Sequence, residues 1–63
     1  MTDDDIREAA RLLASTWGPS LTEAALWDCA GDLLRPGERS LHWDRIWANY
    51  LLVRREYAMR YVR

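Results

Sequence analysis

Two breaks, Gly18-Pro19 and Pro36-Gly37, cut this chain into three segments, and each segment carries its apolar residues at helical spacing. A chain of 63 residues divided in this way has room for one domain. The expected fold is therefore all-α: a single compact three-helix domain over residues 1–63, with helices at about 3–16, 21–35 and 41–62 and the C-terminal helix the longest.

The local signals support each segment. Thr2 followed by Asp5 suits an N-cap, and Asp3, Asp4 and Asp5 set negative charge at the positive end of the first helix dipole. Ile6, Ala9, Ala10, Leu13 and Trp17 then form one apolar stripe. Ser20-Leu21-Thr22-Glu23 fits a capping box with Ser20 as the cap. In the second helix Leu26, Ala30 and Leu33 share a face with Cys29 beside them, while Asp28, Asp32 and Arg35 point away. Gly31 costs this helix about 1 kcal/mol relative to alanine, which implies a bend or the close approach of another helix at Ala30-Gly31. Ser40 is the expected cap of the third helix, which at 1.5 Å per residue is roughly 33–35 Å long.

So short a domain buries only about 60% of its unfolded-state surface and needs extra support. Its single cysteine, Cys29, excludes an internal disulfide, and its single histidine, His42, excludes a zinc site of ordinary ligand spacing. No metal or cofactor is expected. Dense packing and a partner chain are the remaining supports, and Trp17, Trp27, Trp43 and Trp47 are expected to supply much of the core.

The segment from Ser40 onward holds two of the four tryptophans, all three tyrosines and five of the nine arginines. Trp43, Trp47, Tyr50, Arg54, Tyr57 and Tyr61 form one stripe, flanked by Ile46, Val53 and Arg60 on one side and by Leu41, Ala48, Leu52 and Met59 on another. Two shorter helices have too little surface to hide so much apolar circumference. The excess is expected to meet a protein partner, from the host or from a phage complex, or a second copy of the chain. Arg54, Tyr57, Arg60 and Tyr61 are the expected protein-binding residues, Tyr57 and Tyr61 because they lie past the reach of the shorter helices.

Charge divides the chain unevenly. Residues 1–34 carry seven acids against two arginines, and residues 35–63 carry seven arginines against three acids, for a net charge of −1. Asp4, Asp5, Glu8, Asp28 and Asp32 offer an acidic face of the kind by which small acidic helical proteins of mobile elements, anti-CRISPR proteins among them, imitate a nucleic-acid backbone. That likeness is one of type and rests on no family motif. A direct nucleic-acid contact through the Arg/Tyr-rich helix, in the manner of a helix-turn-helix domain, is the second expectation. It is weakened because Leu41-His42-Trp43-Asp44-Arg45, which would enter the major groove, offers few donors.

Catalysis is not expected. His42 has only Asp44 nearby in sequence, and two residues apart on a helix these side chains diverge. No membrane contact is expected either: the longest nearly apolar run, Ile46 to Val53, is far below the ~20 residues that span a bilayer, and apolar residues intrude around the whole circumference of the third helix, leaving no clean polar face to lie among headgroups. The acidic opening residues do not read as a signal peptide, and the lone cysteine suits a reducing compartment, so a cytoplasmic location is expected. The function read from the sequence is thus a non-enzymatic module that binds and modulates or inhibits another protein.

Overall fold

A computed structural model describes residues 1–61, with side chains through Arg60. Three helices follow one another: α1 (Asp3–Trp17), α2 (Glu23–Leu33) and α3 (Glu38–Tyr61). At about 1.5 Å per residue, α3 runs most of the 40 Å long axis, and α1 is its main packing partner while α2 touches both.

Helix α1 starts as its sequence dictates. The Thr2 hydroxyl accepts from the Asp5 N–H (3.2 Å), and the Asp5 carboxylate accepts from the Thr2 N–H (3.1 Å), which satisfies two orphan donors reciprocally. The helix buries Ile6, Ala9, Ala10, Leu13 and Ala14. It ends where Gly18 takes φ +101°, and the Gly18 N–H still donates to the Ala14 carbonyl.

The starts of α2 and α3 differ from expectation, the first for a tertiary reason and the second for a local one. Thr22 caps α2 instead of Ser20, accepting from the Ala25 N–H (3.2 Å). Leu21 cannot join the helix because its N–H donates to the Tyr50 hydroxyl and its carbonyl accepts from Arg54. Helix α3 begins at Glu38, ahead of Ser40. Pro36 and Gly37 occupy the two centres of a turn closed by the Glu38 N–H on the Arg35 carbonyl (3.1 Å), and Gly37 supplies the positive φ (+89°) such a turn demands. The turn delivers the chain directly into helix, so Ser40 lies inside it.

The core is aliphatic with one tyrosine. Ile6, Ala10, Leu13, Ala14, Leu26, Ala30, Ile46, Tyr50 and Val53 form it. The tryptophans do not. Trp27, Trp43 and Trp47 are half-buried, and Trp17 is 39% exposed. The core positions are taken by these aliphatic side chains and Tyr50, and the rings cover the edges instead. Trp27 and Trp43 meet edge to face at 5.0 Å between centroids, and the Trp43 indole N–H donates to Glu23 (3.1 Å).

Candidate functional site

The residues of α3 divide into an inward set and an outward set. Ile46, Tyr50 and Val53 fall at i, i+4 and i+7 and are buried, which fixes the inward face. Leu41, Leu52 and Met59 lie on the opposite side and are 76%, 51% and 71% exposed, with Ala48 also exposed between them. Arg7 of α1 reaches only the edge of this face, beside Leu52 and Met59. On α1, Leu12 is about half exposed.

Next to this strip the surface between α1 and α3 is concave. A shallow hollow of about 290 Å³ is bounded by Arg7, Asn49, Leu52, Arg55 and Met59. A second, of about 260 Å³, is bounded by Leu12, Ser15, Tyr57 and Arg60, and the two share Val53 and Glu56. They form one groove along the α1–α3 seam. Its lining mixes apolar Leu12, Leu52, Val53 and Met59 with charged Arg7, Glu8, Arg11, Arg55, Glu56 and Arg60, a mixture suited to meeting another protein surface.

The residues named from the sequence are distributed unevenly over this geometry. Arg54 turns inward to the α1–α2 linker: its Nε donates to the Pro19 carbonyl (2.6 Å) and its Nη2 to the Leu21 carbonyl (2.5 Å). Its guanidinium also lies 5.3 Å from the Tyr50 ring centroid and 5.8 Å from that of Trp47. Tyr57 is not past the reach of the shorter helices. It is half-buried against the core, with the Arg60 guanidinium 5.8 Å from its ring. Arg60 is exposed at the groove, whereas the side chain of Tyr61 lies outside the described residues.

The residues of the expected acidic face are all exposed, but several acids of α1 already act locally. Asp5 closes the α1 capping box, and its carboxyl is held below the ordinary value of 3.8 first by the Thr2 backbone N–H and then by the Thr2 side chain. Glu8 lies 3.8 Å from Arg11, and Asp3 is ion-paired with Arg45 of α3. Asp4, Asp28 and Asp32 face solvent.

Sequence reasoning missed a second interior arginine. Arg39 donates from Nη1 to the Trp27 carbonyl (2.8 Å) and stacks on the Trp27 ring at 4.0 Å. It fits because residue 31 is glycine: a Cβ there would overlap the Arg39 guanidinium. The sequence did carry a signal, an unfavourable glycine within an otherwise good helix. The close approach it permits is of a side chain, not of a helix.

Among the described residues no group of three or more His, Cys, Asp or Glu is placed to hold a metal ion, and no helix is long and apolar enough to cross a membrane. Comparison of the chain with protein-family models, with characterised proteins and with solved structures finds no match.

Proposed function

We propose that this chain is a small non-enzymatic protein-interaction module, which docks through the outward face of α3 and the adjoining α1–α3 groove and modulates the protein it binds. The observation that carries this reading is the row Leu41, Leu52 and Met59, more than half exposed on one side of a helix whose other side already fills the core. A 63-residue domain gains no stability from apolar groups on that side, and large exposed apolar residues in a row are the usual mark of a contact surface. The groove adds Arg7, Arg55 and Arg60 as rim groups, a residue type enriched at contact surfaces.

Two versions of the reading lose support. An acidic mimic of a nucleic-acid backbone has fewer carboxylates to spend, since Asp3, Asp5 and Glu8 have partners within the chain. A nucleic-acid contact by α3 loses Arg54, which two linker carbonyls and two aromatic rings hold inward. The test is affinity capture of tagged protein from the lysate of its native host, with and without nuclease, using the wild type and Leu52→Asp. Capture of a stoichiometric protein that survives nuclease and is lost in Leu52→Asp is the expected result. Capture that nuclease abolishes would replace this reading with the nucleic-acid one.

A further inference from the structure

The outward face of α3 has a property that binding a foreign protein would not require. Its residues mirror one another about Tyr50. Ala48 and Leu52 lie two positions to either side, Arg45 and Arg55 five, Asp44 and Glu56 six, and Leu41 and Met59 nine. Every mirrored pair keeps its chemical class: apolar with apolar, base with base, acid with acid. All eight side chains are exposed.

Helical geometry arranges them into a seam with two rims. At 3.6 residues per turn, Leu41, Ala48, Leu52 and Met59 fall within an arc of about 40°, with Arg45 and Glu56 along one rim and Asp44 and Arg55 along the other. Antiparallel packing about a two-fold axis beside Tyr50 brings each rim against its own copy, running the other way. Leu41 then meets the partner's Met59, and Ala48 meets the partner's Leu52, a small residue against a large one. On one rim Arg45 lies within about 1.5 Å, measured along the axis, of the partner's Glu56, and on the other Asp44 lies equally close to the partner's Arg55. Two-fold symmetry doubles these into four pairs of opposite charge, although bases face bases and acids face acids in the mirror of the sequence itself.

We infer that the outward face of α3 is a self-association surface and that its occupant is a second copy of this chain, packed antiparallel. This rests on the reading of that face as a contact surface and names what it contacts. The antiparallel orientation also opposes the two helix dipoles and nests Ala48 against Leu52, where a parallel pair would stack each residue on itself. Arg45 also pairs with Asp3 of its own chain, so the rim of Asp44 and Arg55 is the one whose charges are free to be tested.

The test measures sedimentation equilibrium over a range of concentrations for the wild type, Leu52→Asp, Asp44→Arg, Arg55→Asp and the double variant Asp44→Arg/Arg55→Asp. Circular dichroism on each confirms that it remains folded. Asp44 and Arg55 lie three turns apart on the same face, about 16 Å along the axis, so they do not touch within one chain. Any rescue between them therefore passes from chain to chain. The expected result is a wild-type dimer whose dissociation constant rises at least ~100-fold in Leu52→Asp and about 10-fold in each charge reversal, with the double variant returning to near the wild-type value. A parallel pair would set Asp44 beside the partner's Arg45 and Arg55 beside the partner's Glu56, so additive loss in the double variant overturns the antiparallel arrangement. A wild type that stays monomeric throughout, or a dimer indifferent to Leu52→Asp, overturns self-association by this face. In that event, capture of a foreign protein that still depends on Leu52 leaves the interaction-module reading standing, and capture that does not depend on it removes both.

Discussion

Tyr50 and Arg54, one turn apart on α3, together hold the linker between α1 and α2. The Tyr50 hydroxyl donates to the Gly18 carbonyl (2.6 Å) and accepts from the Leu21 N–H (2.9 Å), while Arg54 donates to the carbonyls of Pro19 and Leu21. Tyr50 is wholly buried, and its polar end meets the backbone of two half-buried linker residues. A tyrosine in the core is thus explained by the backbone it satisfies, and the linker conformation by the side chains that receive it.

Tyr50→Phe keeps the ring and removes the oxygen, leaving a linker N–H and carbonyl without their partner. The expected cost is about 1–3 kcal/mol. For a domain of this size that lowers the melting temperature by several degrees, read by thermal circular dichroism. An unchanged melting temperature would show that water replaces the hydroxyl without loss.

Arg54→Lys should also destabilise, although charge is retained. A lysine has neither the planar fork that reaches two carbonyls nor the flat surface that lies over Tyr50 and Trp47. Denaturant unfolding is expected to give a loss of about 1–2 kcal/mol. Because Arg54 faces the linker, association through the outer face of α3 should be unaltered once the variant is folded.

Gly31 and Arg39 make a coupled pair. In wild type, Gly31→Ala improves helix propensity by about 1 kcal/mol but displaces the guanidinium from Trp27, so the net change should be near zero or destabilising. In an Arg39→Ala background nothing is displaced, and the same substitution should stabilise by about 1 kcal/mol. Equal effects in the two backgrounds, measured by denaturant unfolding, would show that Arg39 does not depend on the glycine.

Asp5 gives α1 an acid sensitivity of known sign. Its folded carboxyl is depressed below 3.8 by the Thr2 hydrogen bonds, so its contribution is present above the ordinary carboxylate range and is lost as pH falls through the lowered value. Asp5→Asn should remove part of that dependence, seen as a shallower fall in melting temperature between neutral and strongly acid pH. A wild-type and variant that fall in parallel would place the sensitivity on other carboxylates.

The three-helix plan was legible because its signals are local. Gly18 and Gly37 take the positive φ that their turns require, Thr2 and Asp5 cap α1 within four residues, and Ile6, Ala9, Ala10 and Leu13 repeat at the helical period. So was the apolar excess of α3, since Leu41, Leu52 and Met59 remain exposed after packing. Its polar outcome was not legible. Arg54 and Tyr57 lie on the same stripe as Tyr50, and periodicity reports only that they share a side, not whether that side faces the linker and core or solvent.

The amino-acid sequence by itself determined the number of helices, where α1 begins, the turns that separate the helices and the surplus of apolar surface on the last one, because each follows from hydrogen bonds and periodicities spanning a few residues. Tertiary structure alone decided that Thr22 rather than Ser20 caps α2, that the core is aliphatic with the indoles at its edges, and that Arg39 and Arg54 serve the fold's interior. Those outcomes turn on partners such as Leu21 with Tyr50 and Trp27 with Arg39, and only packing brings such distant groups within hydrogen-bonding reach.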